Sequence, residues 1–105
     1  MFIALYSFKV KPDCENKFVE SWTQLTNLIY QYEGSLGSRL HKVEGNCFIA
    51  YAQWPDKLTW ENSGNNLPQI AIHHKNAMKE CCSEIKTEYE LNTVVDLLKD
   101  TVFDK

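Results

Sequence analysis

The stretch Gly34–Trp54, GSLGSRLHKVEGNCFIAYAQW, decides the fold. It reads as two antiparallel strands joined at Glu44-Gly45-Asn46, because side chains alternate on both arms and Gly and Asn supply the tight turn between them. The first arm divides into Leu36, Ser38, Leu40 and Lys42 on one face and Gly37, Arg39, His41 and Val43 on the other. The second divides into Phe48, Ala50, Ala52 and Trp54 against Cys47, Ile49, Tyr51 and Gln53, so both of its faces are largely apolar. A strand covered by helices on one side only has no use for a second apolar face, which implies a cover on that side too.

Upstream, FIALYSFKV (residues 2–10) alternates in the same way and begins with both faces apolar, predicting a strand that starts with both faces buried. Lys11-Pro12-Asp13 ends it, since proline cannot extend the ladder, and Asp13 is the expected N-cap of a helix from about Cys14 to Tyr32. Along that helix Phe18, Trp22, Leu25, Ile29 and Tyr32 fall in one apolar stripe, and Gly34 stands where a helix stops. Downstream, Pro55 opens a short helical segment through Trp60, and Gly64-Asn65-Asn66 breaks it. Pro68 suits the first turn of a further helix on which Ile70, His74, Ala77, Met78 and Cys81 share a face. Alternation from Ile85 through Thr87, Tyr89, Leu91, Thr93 and Val95 to Leu97 predicts a long last strand, about Ile85 to Leu98.

The order strand, helix, strand, strand, helix, strand is a ferredoxin-like α+β arrangement with an extra short helix: a four-stranded antiparallel sheet carrying its helices on one face. The uncovered apolar face predicts a two-fold homodimer in which two sheets close a joint β-barrel. The 105 residues suffice for one domain with one core. With 11 basic against 14 acidic side chains, nothing suggests a nucleic-acid partner. The surplus acid falls in residues 80–105, which reads as a solvated end. No run approaches the ~20 apolar residues of a membrane span. Cys14, Cys47, Cys81 and Cys82 lack disulfide-framework spacing and no secretory leader precedes them, so reduced thiols in a cytoplasmic protein are expected.

The opening YSFKVKPDCENKF, the helix with Trp22, and the segments GSLGSRLHK and YAQWPDKLTWE resemble the antibiotic biosynthesis monooxygenase family of dimeric α+β barrels. That resemblance implies oxidation of a small aromatic or quinol-type substrate by dioxygen, without metal, flavin or haem. An apolar pocket between sheet and helices would exclude water, and a polar group would stabilise the substrate anion. The family also contains haem-degrading enzymes and members with no known reaction, so haem binding and a non-catalytic ligand-binding dimer are the alternatives. An asparagine usual on the first strand of the haem branch is replaced by Ser7 or its neighbour, which counts against haem.

The candidate catalytic residues are His74, central on its helix face and suited to proton transfer near neutral pH; Trp60, in the segment that caps the pocket in the family; and Arg39 with His41, which share a strand face. Tyr51, Tyr6 and Met78 are the candidate substrate contacts. A buried structural role is the competing reading for His74, Trp60 and Tyr51, and an interface or solvated edge for Arg39 and His41. Trp22 and Trp54 are expected in the core. Gly37-Ser38-Arg39 is no nucleophile elbow, because more strand follows the serine. No metal site is expected: His74 and Cys81 lie seven positions apart, about 10 Å along a helix.

Overall fold

The computed structural model describes residues 1–98. Its elements are β1 (Phe2–Val10), α1 (Glu15–Tyr32), β2 (Gly37–Lys42), β3 (Cys47–Trp54), α2 (Lys57–Glu61), α3 (Ile70–Glu80) and β4 (Cys82–Asn92). The four strands form one antiparallel sheet in the order β2-β3-β1-β4, the ferredoxin-like α+β arrangement expected from the sequence. β1 and β3, the two strands that read as apolar on both faces, are the central pair.

Register separates the two faces. Phe2, Ala4, Tyr6, Phe8 and Val10 of β1 turn toward the helices beside Phe48, Ala50, Ala52 and Trp54 of β3. α1 docks through Phe18, which has no exposed surface and whose ring lies 5.1 Å from those of both Phe8 and Phe48. Burying such a phenyl side chain contributes roughly 1.5–3 kcal/mol, and the tilted ring contacts add to it. α3 packs beside α1 through Ala71 and Met78.

Several local expectations are corrected. Asp13 does not cap α1: the cap residue is Cys14, with no side-chain cap bond. Asp13 instead takes a positive φ of 68° after Pro12, in a turn closed by the Cys14 N–H donating to the Lys11 carbonyl at 3.1 Å. Proline followed by a left-handed residue is the type II pattern, and aspartate tolerates that conformation better than most side chains. On α3, Ile70 is exposed and Ala71 takes its place in the buried stripe, because Ala71, seven positions before the buried Met78, lies two turns away on the same face.

The last strand begins three residues earlier than expected and ends at Asn92, because it has a partner only as far as β1 runs: Val10 pairs with Cys82 and Phe2 with Asn92. Register shifts at Leu5/Tyr6 and Lys9/Val10 also break its alternation. Ile85 and Thr87 pair with the helix-facing Phe8 and Tyr6, whereas Tyr89 and Leu91 pair with Leu5 and Ile3 on the opposite face. A bulge adds one residue to one strand and turns every later side chain over. Of the acidic end, residues 99–105 lie outside the described part.

The loop between α2 and α3 is tied to the end of α1 by one carboxylate. Glu33 is buried and accepts hydrogen bonds from the Gly64 N–H, the Asn66 N–H at 3.1 Å and the Asn66 side-chain amide at 3.2 Å. Next to it Gly34 has φ 79°, and a Cβ there would stand 3.3 Å from Thr59 Cγ2, so glycine serves both the helix stop and the approach of α2.

Since Phe18 joins α1 to both central strands, Phe18→Ala is expected to cost about 3–5 kcal/mol of unfolding free energy, measured by urea denaturation.

Candidate functional site

Between the sheet and the helices lies an apolar cavity of about 180 Å³. Ala50 and Ala52 of β3 lie on one side of it, with Tyr6 and Phe8 of β1 and Ser38 of β2 flanking them. Trp22, Leu25, Thr26 and Ile29 close it from α1, Met78 from α3 and Ile85 from β4, and Trp54 completes the wall. The cavity exists because β3 carries two methyl side chains between two large aromatics, Phe48 and Trp54, on its helix-facing side.

The best-defined polar group on this wall is the Tyr6 hydroxyl. It accepts a hydrogen bond of 2.7 Å from the indole N–H of Trp60, which is held over the sheet by packing on Phe2 with ring centroids 5.2 Å apart. α2, which carries Trp60, begins at Asp56, whose carboxylate accepts from the Thr59 N–H and hydroxyl, both at 2.8 Å. Lys57 ties α2 to Glu90 of β4 at 3.1 Å. Burial pushes the Tyr6 pKa above its ordinary value, the bond from Trp60 pulls it partly back, and Glu90 adds to the rise. At neutral pH Tyr6 is therefore a protonated phenol: it accepts from Trp60 and keeps its own proton to donate. Thr26 and Ser38 bring two further hydroxyls to the wall. The indole N–H of Trp54 is sealed from solvent and has no partner among the described residues, a cost of about 1–3 kcal/mol that the fold carries.

Of the candidates read from the sequence, Tyr6 and Met78 line the cavity. Trp60 stands behind Tyr6, and its N–H is committed to that hydroxyl instead of being free for a ligand. His74 is half-buried on α3, one turn before Met78, edge-on to the exposed His73 at 5.5 Å, and is not part of the wall. Arg39, His41 and Tyr51 belong to the opposite face, where Arg39 pairs with Tyr51 and His41 with Ile49. The sheet thus divides the candidates into Tyr6, Trp60, Met78 and His74 on the helix side and Arg39, His41 and Tyr51 on the other. Wall residues that sequence reasoning passed over are Ser38, Ala50, Ala52 and Thr26. The first three share the parity of Phe48 and Trp54, and small side chains at such positions are a legible sign of space.

No group of three or more histidine, cysteine or carboxylate side chains is placed to hold a metal among the described residues. His74, the residue suited to ligate iron, is off the cavity wall. Burial raises the thiol pKa of Cys81, and raises that of Cys82 to about 11, so neither is a ready nucleophile. No helix among the described residues is long and apolar enough to cross a membrane.

The profile of antibiotic biosynthesis monooxygenases matches residues 1–79. The chain belongs to this family. Its fold is shared with solved members at low identity. The antibiotic biosynthesis monooxygenase-like protein of Bordetella bronchiseptica is 16% identical with a TM-score of 0.74, over 90% of this chain and 97% of that one. The corresponding protein of Nitrosomonas europaea is 11% identical with a TM-score of 0.74, over 90% and 100%. SnoaB of Streptomyces nogalater, a cofactor-independent oxygenase, is 13% identical with a TM-score of 0.72, over 93% and 97%. No curated protein sequence matches the chain.

The Tyr6 environment gives a signed expectation. Its phenol should ionise above the ordinary tyrosine value, as a late component in the alkaline tyrosinate absorbance titration that Tyr6→Phe removes. Trp60→Phe deletes the bond that favours the phenolate and should move that component higher still. Because the folded pKa lies above the unfolded one, the associated stability is present below about pH 10 and is lost as pH rises through the folded value.

Proposed function

We propose that this protein is a cofactor-independent monooxygenase that oxidises a small aromatic or quinol-type substrate with dioxygen inside the cavity between sheet and helices. The observation that carries the reading is the Tyr6 hydroxyl, held by Trp60 on a largely apolar wall, in a chain of the monooxygenase family. A substrate phenol oxygen set against Tyr6 receives its proton in a hydrogen bond, and that bond strengthens as the substrate becomes an anion. His74 is off the wall, so the departing proton passes to the reduced oxygen and ends in the water formed. The anion supplies electrons to dioxygen, one oxygen atom enters the ring and the other leaves as water. For a hydroquinone the products are a hydroxyquinone and water, which balances without an added reductant. Apolar walls keep bulk water from the reduced oxygen species meanwhile. A non-catalytic dimer that binds the same ligand is what the activity test separates from this.

Oxygen uptake with a panel of hydroquinones and phenols is expected to exceed the autoxidation blank. Tyr6→Phe should lower kcat by about 10²-fold, the scale of one lost anion-stabilising donor, and Trp60→Phe by less. Uptake equal to the blank across the panel would leave the binding dimer as the function.

The second part of the proposal is a homodimer built on the open sheet face. There Leu5 of β1 lies between Tyr51 of β3 and Tyr89 of β4, Ile3 beside Leu91 is already buried, and Tyr89 and Leu91 are 62% and 41% exposed. The following segment adds Val94, Val95, Leu97 and Leu98, all exposed. An apolar surface of this extent is suited to a partner, and its content in a two-fold contact would be a second copy of itself. Sedimentation equilibrium should return a dimer at micromolar concentration, and Leu91→Arg should shift it to the single subunit; a well-folded single subunit in the unaltered protein rejects this assembly.

A further inference from the structure

We infer that the cavity selects a single aromatic ring with oxygens at opposite ends, and that Ala50, Ala52, Trp22 and Ser38 are its specificity-determining residues. The inference rests on the proposed reading only in taking this cavity as the place where a quinol-type ligand sits. Size is the first argument. The cavity measures about 180 Å³, and an apolar cavity of about 150 Å³ accommodates benzene. One ring with two small substituents fills such a space, and a second fused ring would have to project through its mouth, out of the apolar walls.

Placement is the second. Ala52 pairs with Ser38 of β2 on one side and with Ala4 of β1 on the other, and Ala50 with Leu40 and Tyr6. A ring lying over the two methyl groups therefore has β2 at one end and β1 at the other. Tyr6 reaches along β1 toward Phe2, because its hydroxyl meets the indole that packs on Phe2. It thus stands over the row that contains Ala52 and Ser38. Strands two apart in a sheet are separated by roughly 10 Å. That is on the order of a para-dioxygenated ring with a hydrogen bond of about 2.8 Å beyond each oxygen. The Tyr6 hydroxyl serves one oxygen and the Ser38 hydroxyl the other, while Trp22 of α1 limits the volume from above.

The test is isothermal titration calorimetry under anaerobic conditions with phenol, resorcinol, hydroquinone and 1,4-dihydroxynaphthalene. Hydroquinone should bind about tenfold or more tighter than 1,4-dihydroxynaphthalene. Ala52→Val, which adds two methyl groups to the filled space, should weaken hydroquinone by about tenfold. Trp22→Ala should admit 1,4-dihydroxynaphthalene and reverse the order. Ser38→Ala should bring hydroquinone down to the affinity of phenol and leave phenol itself unchanged. The inference is overturned if the naphthalene diol binds the unaltered protein as well as hydroquinone does, or if hydroquinone shows no saturable binding. It is equally overturned if Ser38→Ala weakens phenol and hydroquinone alike; this arm stands even where Ala52→Val fails to fold. Because dioxygen is excluded, the outcomes separate from the activity reading. Selective hydroquinone binding without oxygen uptake removes the oxygenase and keeps the selectivity, and uptake confined to fused-ring diols does the reverse.

Discussion

Phe18 wedged between Phe8 and Phe48 is the contact on which the rest depends. It joins α1 to both central strands at one end of the sheet, where close aromatic packing leaves no room. Further along α1 the facing strand positions change from phenylalanine to alanine. The helix, already held at a spacing set by the aromatic wedge, then passes over Ala50 and Ala52 without reaching them. A cavity follows from two side-chain sizes on one strand: large residues fix the separation, and small ones fail to fill it. Interiors normally close to the density of organic crystals, so a void beside a well-packed cluster must be held open by its rim.

The same economy of parts explains the polar side of the site. An indole N–H and a phenol oxygen, each costly to bury alone, satisfy one another across 54 positions of sequence, and the phenol keeps its own proton to donate. Trp60 accordingly acts through Tyr6. Its position comes from a short helix with little packing of its own, secured by the Asp56 cap, the Lys57–Glu90 pair and contact with Phe2. The Glu33 carboxylate, bonded to the loop that follows, keeps that region in place from the other side. Electrostatic stabilisation of a substrate anion needs donors that do not have to reorganise, and a phenol held on two sides meets that need.

The two sheet faces have different chemistries. The helix side holds the cavity with Tyr6 and Met78 on its wall, and Trp60 and His74 beside it. The open side carries Arg39, His41 and Tyr51 beside apolar residues of β1 and β4. One β-sheet thus separates the cavity from the open face by the thickness of a backbone, so the two can be altered independently by substitutions that differ in strand parity.

Sequence by itself determined the order of the elements, the hairpin, the apolar character of both faces of β3, and which hairpin residues share a face, because strand alternation and helix periodicity are local properties of the backbone. It also carried the family resemblance that the profile match over residues 1–79 establishes. Only the tertiary structure decided where β4 begins and ends, since a strand's length is set by its neighbour: β4 runs as far as β1 offers partners, and its bulges redistribute Ile85, Thr87, Tyr89 and Leu91 between the faces. The site was legible in part for the same reason. Parity put Arg39 and His41 on one face and parted Tyr6 from Ser7, but which face meets the helices, that Trp60 meets Tyr6, that His74 stops short of the wall and that two alanines leave a hollow depend on distances between segments far apart in the chain, which no local pattern encodes.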